Sequence, residues 1–176
     1  MILYVVRHAS AGESRPDPKK DEKRPLDKDG IEQSRELGRL LATLKTEITL
    51  VISSPLKRAT QTAALLINEM GYEGKLILDD ALRPDAEFSA FRTLLAKYRR
   101  MEAILVVGHN PSISQFASLL VSGGENEVCI DLKKAGATKL ELKPRAAQLH
   151  WCTSPKLIRS AYEVSISSSR PKSSRK

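Results

Sequence analysis

The sequence predicts an α/β fold: a mainly parallel central sheet with helices on both faces, closed by an antiparallel C-terminal hairpin. Three observations lead there. Ile2-Leu3-Tyr4-Val5-Val6, Leu50-Val51-Ile52 and Ala103-Ile104-Leu105-Val106-Val107 are apolar runs of the length of a buried strand. Between them lie stretches whose apolar residues recur at three- and four-residue spacing. Finally, Thr138-Lys139-Leu140-Glu141-Leu142 alternates polar with apolar, and Gln148-Leu149-His150-Trp151-Cys152 returns across a Pro-containing turn.

In chain order, the first run gives way to residues 9–29, a polar stretch rich in Pro, Lys and Asp that reads as a long loop over the carboxyl edge of the sheet. Asp29-Gly30 opens a helix with Leu37, Leu40, Leu41 and Leu44 on one face. After the second run, Pro55 signals a helix at a first-turn position. Its buried stripe is Leu56, Ala59, Ala63, Leu66, Ile67 and Met70, and Gly71 ends it. Residues 75–78 form a short strand, a loop passes through Arg83-Pro84-Asp85, and Phe88, Phe91, Leu94, Leu95 and Tyr98 mark the next helix. Beyond Pro111 a helix buries Ile113, Phe116, Ala117 and Leu120 and stops near Gly123-Gly124. No internal repeat interrupts this order. Residues 1–164 form a single domain, and residues 165–176 are a basic, Ser-rich tail, expected to be disordered.

Composition narrows the class. A chain of 176 residues with 41% hydrophobic and 28% charged residues is ordinary for one globular domain. The five-residue opening run, with no basic region before it, fits neither a signal peptide nor a membrane span, so a cytoplasmic protein that does not engage a membrane is expected. Cys129 and Cys152 have no Cys-x-x-Cys spacing and are expected to be reduced, structural thiols. The net charge of +8 suggests acidic partners or nucleic acid, but Arg170, Lys172, Arg175 and Lys176 sit in the tail and the other basic residues are scattered. With 5% aromatic residues and no zinc-finger, RNA-recognition or helix-turn-helix signature, a nucleic-acid partner is not expected.

Chemistry gathers where the apolar runs end. Arg7-His8 follows the first, Ser53-Ser54-Pro55-Leu56-Lys57-Arg58 the second, and Gly108-His109-Asn110-Pro111 the third. If these strands are parallel neighbours, His8, Arg58 and His109 emerge together at the carboxyl edge, where open α/β sheets bind ligands. A neutral imidazole is nucleophilic, and phosphoryl transfer asks for an in-line attacker and positive charge around the equatorial oxygens. His8 supplies the attacker. Arg7 and Arg58 fork onto phosphate oxygens, and an arginine in a helix's first turn adds to the backbone N–H groups there. His109 donates a hydrogen bond and, if protonated, stabilises the charged transition state. One nitrogen of His8 must stay free while a backbone carbonyl holds the other.

The third histidine, His150, reads as a strand residue beside Trp151. No His-x-x-x-His pair or acidic cluster accompanies the histidines, and coordination would block the nucleophile, so neither a metal nor a cofactor is expected. The sequence also carries no Gly-x-x-x-x-Gly-Lys loop and no Gly-x-Ser-x-Gly elbow.

Arg7-His8-Ala9, Arg24-Pro25-Leu26 followed by Gly30, the run from Ser53 to Thr62, and Val107-Gly108-His109-Asn110-Pro111 together resemble the histidine phosphatase superfamily. Its small SixA-type phosphohistidine phosphatase branch is the most similar, and Leu149-His150-Trp151 followed by Ser154-Pro155 resembles that branch's ending. The resemblance implies a phosphoglycerate mutase-like fold, transient phosphorylation of His8, and a phosphate pocket completed by Arg7, Arg58 and His109. It also puts Arg24 at a further basic position near the site, where the alternative is a surface arginine in a charged loop.

Mutases and many acid phosphatases of the superfamily carry a catalytic Glu where this chain has Pro84. General acid help is worth about 10²–10⁴ in rate, and an alkoxide leaving group needs it more than an imidazole that already carries a proton. Asp21 or Asp85 could take that part. The implied substrate is phosphohistidine on a protein, for example a histidine-phosphotransfer domain, reached because residues 9–29 and 79–87 are too short for a folded lid. Small phosphate esters or sugar phosphates are the enzymatic alternative, and a phosphoprotein-binding module without turnover is the alternative from another class. A monomer is expected.

Overall fold

The computed structural model describes residues 1–124 and 128–168. Its strands are β1 (Ile2–Arg7), β2 (Leu50–Ser53), β3 (Leu76–Leu78), β4 (Ala103–Gly108), β5 (Ala137–Glu141) and β6 (Gln148–Thr153). Its helices are α1 (Pro18–Glu22), α2 (Lys28–Thr43), α3 (Lys57–Met70), α4 (Phe88–Lys97), α5 (Ser112–Ser122) and α6 (Pro155–Ser168). The strands form one sheet in the order β3-β2-β4-β1-β5-β6. The first four are parallel, and β5 and β6 each pair antiparallel with the strand before them in that order.

Two cores follow from the period of two along each strand. Leu3, Val5, Ile52, Ile104 and Val106 face Phe91 and Leu94 of α4 and Ile113 and Phe116 of α5. Tyr4, Val6, Val51, Leu105 and Val107 face Leu37 and Leu41 of α2, Ala59, Ala63 and Leu66 of α3, and Ile158 of α6. Burying each such large apolar side chain contributes about 1.5–3 kcal/mol relative to leaving it in water. The helices therefore cover both faces, as the apolar runs require, and the fold is the mixed α/β sheet that the sequence predicts.

Local chemistry fixes the helix ends. Asp27 caps α2 by accepting from Gly30 N at 2.7 Å, and its other oxygen accepts from Ser10 Oγ at 2.8 Å and Gly12 N at 2.7 Å. The cap thereby ties α2 to the segment that follows β1. Gly30 lies so close to that segment that a Cβ would fall 1.9 Å from the Ser10 carbonyl oxygen. At the end of α3, Gly71 adopts the left-handed conformation with φ 65°.

Several expectations shift. The stretch 9–29 is not loop throughout, because Pro18 starts α1 and Asp17 caps it by accepting from Lys19 N at 3.0 Å. The helix after β2 begins at Lys57 rather than Pro55, which leaves Arg58 in its first turn. Leu44, expected on the buried face of α2, is half exposed at the helix end. Cys129 and Cys152 are free, but both are exposed rather than packed. At the C-terminus, α6 carries the chain past residue 164 to Ser168, and residues 169–176 of the expected tail lie outside the described residues. No helix among the described residues is long and apolar enough to cross a membrane.

Candidate active site

Strands β2, β4 and β1 are adjacent, and their register sets Arg7 opposite Gly108 and Ser53 opposite Val107. Their carboxyl ends therefore lie level, and His8, Ser54 and His109 leave the sheet side by side. From β1 the chain departs through α2 toward β2, whereas from β4 it departs through α5 toward β5 on the opposite side. Such a divergence opens a ligand crevice between two parallel strands. His8 is fixed there by donation from its N–H to the Gly108 carbonyl at 2.9 Å and by acceptance at its carbonyl from Ala135 N at 3.2 Å. The His8 and His109 rings stand 4.8 Å apart between centroids.

The protonation of His8 follows from one contact. Its Nδ1 lies 2.7 Å from the Ala9 carbonyl oxygen. A carbonyl only accepts, so Nδ1 carries the proton and Nε2 keeps its lone pair. Burial pushes the His8 pKa down to about 3; the Ala9 hydrogen bond opposes this, and the charges of Arg58, Arg7 and Arg24 add to it. His109 is pushed down to about 2 by burial, with His8, Arg58 and Arg83 adding to the shift and Asp21 opposing it. Both rings are neutral at pH 7. The protonated His109 considered from sequence would need the negative charge of a phosphate group beside it to offset these shifts.

Thr62, fully buried on α3, supports the nucleophile from behind. Its Oγ1 accepts from Ala9 N at 3.1 Å and donates to the Arg58 carbonyl at 2.8 Å.

Arg58 donates through Nη1 to the Asp21 carbonyl at 2.9 Å and to Asp21 Oδ2 at 3.1 Å. Arg7 donates through Nη1 to the Leu132 carbonyl at 3.0 Å. Burial lowers the pKa of both guanidiniums, yet from so high an ordinary value that both remain cations. Three side-chain nitrogens, Arg7 Nε, Arg58 Nε and His109 Nδ1, are buried and find no protein partner, and no other buried side-chain N or O atom among the described residues shares that state. Each unsatisfied buried polar group costs about 1–3 kcal/mol. Guanidinium and imidazole N–H groups are donors of the kind an oxyanion accepts from.

Asp21 is brought to the site as an acceptor. Its carboxylate takes Arg24 Nε at 2.8 Å, Arg15 N at 3.0 Å and Arg58 Nη1 at 3.1 Å. Burial raises its pKa, but these hydrogen bonds and the two arginine charges outweigh that, and the net shift is downward. A carboxylate so held is ionised at neutral pH, so the proton-donor part considered for Asp21 from sequence draws no support from these contacts. Asp85 is exposed, and its charge acts on Arg83. Arg24 is no free surface arginine. Its side chain is 12% exposed, and its Nη1 donates to the carbonyls of Ala11 at 2.9 Å and Gly12 at 3.0 Å.

Sequence reasoning missed three contributors. Ser54 Oγ and His109 Nε2 are 2.8 Å apart. Thr62 braces Ala9, and a Glu22–Arg83 ion pair joins α1 to the turn before Pro84. Ser54 and Thr62 lie inside a recognised motif, but nothing in the motif names the atoms they touch. Glu22 and Arg83 are too far apart in sequence to be paired by spacing. His150 lies on β6, as expected, with Nε2 3.1 Å from Glu141 Oε2.

Two paired, neutral imidazoles stand at the carboxyl edge of the α/β sheet with a buried Arg58 and a half-buried Arg7, an arrangement suited to a phosphate-like group. The model of the histidine phosphatase superfamily (branch 1) matches residues 3–84. An uncharacterised protein of Picosynechococcus sp. is 32% identical over 156 residues, which cover 85% of this chain and 90% of that relative.

Among solved structures, the protein histidine phosphatase SixA complexed with tungstate superposes with a TM-score of 0.77 at 23% identity, covering 89% of this chain and 98% of SixA. The alpha-ribazole phosphatase of Shigella flexneri follows at 0.70 and 19% identity, covering 88% of this chain and 97% of that one. A mycobacterial glucosyl-3-phosphoglycerate phosphatase in complex with VO3 gives 0.67 and 17%, covering 87% and 99%. The chain belongs to the histidine phosphatase superfamily, and the three solved structures of this fold described above are of phosphatases.

Proposed function

We propose that this protein hydrolyses phosphohistidine on a protein by way of a phosphorylated His8. The observation that carries the reading is a neutral His8 whose Nε2 keeps its lone pair, with the His109 ring 4.8 Å away and the charges of Arg58, Arg7 and Arg24 acting on it. Tungstate, the ligand of the SixA structure, and the VO3 of the mycobacterial phosphatase structure are oxyanions of the kind such groups hold.

In the first step His8 Nε2 attacks phosphorus in line, a P–N bond forms to His8, and the P–N bond to the substrate imidazole breaks. Arg7, Arg58 and His109 donate to the equatorial oxygens, where charge develops. In the second step water attacks phosphorus, the bond to His8 Nε2 breaks, and inorganic phosphate and a proton leave. A leaving imidazole departs without a strong acid beside it. That suits a site where Pro84 stands at the position of the acidic residue, Asp21 is held ionised and Asp85 is exposed.

Small phosphate esters are the second reading, favoured by the fold's likeness to phosphatases named for such substrates. Alpha-ribazole phosphate and glucosyl-3-phosphoglycerate are the substrates named for two proteins of this fold. Purified protein should release phosphate faster from a phosphohistidine-bearing histidine-phosphotransfer domain than from aryl or sugar phosphates. Faster turnover of an ester would replace the leading reading with the second. Stoichiometric binding of phosphoprotein without release would replace both with a binding module.

A further inference from the structure

His109 is neutral and so has one ring proton for two ring nitrogens, and the position of that proton decides whether the ring attracts or repels an oxyanion. With the proton on Nδ1, the buried unpartnered atom is a donor. With the proton on Nε2, the same atom presents a lone pair to the phosphate oxygens. We propose that Ser54 is the positioning residue that makes His109 a donor: its hydroxyl donates to His109 Nε2 and thereby keeps the ring proton on Nδ1.

The contact is fully enclosed. Ser54 is 0% exposed, His109 is 1% exposed, and the Oγ···Nε2 distance is 2.8 Å. A serine hydroxyl has one hydrogen to give and two lone pairs. Leu56 N already points at Ser54 Oγ from 3.4 Å, so the oxygen has an incoming donor, and its own hydrogen is the one directed to the imidazole. The opposite tautomer would aim a second donor at Ser54 Oγ and strand the hydroxyl hydrogen in the core, where an unmade hydrogen bond costs most.

The arrangement mirrors the one at His8. There the Ala9 carbonyl draws the proton to Nδ1 and leaves Nε2 bare to attack. At His109 a hydroxyl occupies Nε2, and Nδ1–H is left to donate. Both rings hold the same tautomer for opposite uses, one as nucleophile and one as hydrogen-bond donor. The consequence for turnover rests on the phosphatase reading above; the position of the proton does not.

Nitrogen-15 NMR of the labelled protein tests the assignment directly. His109 should show a protonated Nδ1 and a bare Nε2 in the parent, and Ser54→Ala should move proton density to Nε2. Loss of a well-aimed donor to a developing oxyanion typically costs about 10²–10³ in rate, and misdirecting one should cost about tenfold or more in kcat with a smaller change in KM. Ser54→Thr, which keeps the hydroxyl, should restore the parent tautomer. Adding Ser54→Ala to His109→Ala should slow it no further, whereas a merely structural serine would add its own loss.

A parent protein with the His109 proton on Nε2 would overturn the proposal, as would Ser54→Ala with unchanged tautomer and turnover. Should Ser54→Ala fail to fold, the parent spectrum decides alone. Protonated Nδ1 in a protein that hydrolyses no phosphorylated substrate would overturn the phosphatase reading and leave the Ser54 assignment standing.

Discussion

Two regions of the sheet carry histidines, and they are built by opposite rules. At the carboxyl edge of β1 and β4, His8 and His109 are 8% and 1% exposed, and the buried Arg58 and half-buried Arg7 each have an Nε with no protein partner. On the β5–β6 hairpin, His150 is exposed, its Nε2 is 3.1 Å from Glu141 Oε2, and Lys143 lies 3.8 Å from the same carboxylate oxygen. The hairpin charges answer one another in water. Those at the carboxyl edge are held out of water with donors left over, a state that weakens the fold and suits an anion. The contrast teaches that exposure and pairing, rather than residue type, separate a reactive imidazole from an ordinary one.

The largest expected effect isolates the nucleophile. His8→Ala should lower phosphate release by about 10³-fold or more and abolish acid-labile phosphate on the protein, while circular dichroism stays that of the parent. A surviving rate near the parent's would erase the distinction between the two regions. Next, Arg58→Ala should lower kcat/KM by about 10²–10³-fold, through both KM and kcat, and Arg58→Lys should recover little because an ammonium lacks the fork. Unchanged kinetics would show that Asp21 alone uses this guanidinium.

A third effect appears in stability. The unfolded chain protonates its histidines near pH 6.5, but folded His8 and His109 resist until about 3 and 2, so the unfolded state binds more protons between those values. Stability should therefore be full above about pH 6.5 and fall as the pH drops below it, by up to about 1.4 kcal/mol per pH unit for each histidine. Urea unfolding from pH 7 to pH 5 should show this slope, and His8→Asn/His109→Asn should flatten it. A flat parent curve would mean that the rings are charged in the folded state. The smallest effect belongs to the hairpin: His150→Ala should leave turnover within about twofold and stability within about 0.5 kcal/mol. A larger loss of turnover would mean that the hairpin feeds the site.

Much of this contrast was legible in the residues. Arg7, His8, Arg58 and His109 each follow an apolar run or open a helix, so local chain direction alone delivers them to one edge. That a backbone carbonyl would hold one His8 nitrogen was legible too, but only the structure shows that the nitrogen is Nδ1 and the carbonyl that of Ala9. The strand order β2-β4-β1, which juxtaposes His8 and His109, depends on pairing between distant segments and leaves no local mark.

Helix α1 was hidden because it buries nothing and so has no apolar period, although Asp17-Pro18 is a start signal. Helix α6 also begins at a proline, and Ile158 is its buried residue against α2 and the sheet, but the Ser-rich continuation masked it. Asp21 reads as a loop carboxylate until the fold sets two arginines beside it, and only then does its part as acceptor emerge.

The shared hydroxyl of Thr62 has a mechanical consequence. Because one oxygen holds both the peptide that steadies His8 and the carbonyl of Arg58, attacker and clamp are bolted to a common bracket. If the segment after β1 drifts, Arg58 drifts with it, and the spacing between the attacking nitrogen and the cation that grips its target is preserved.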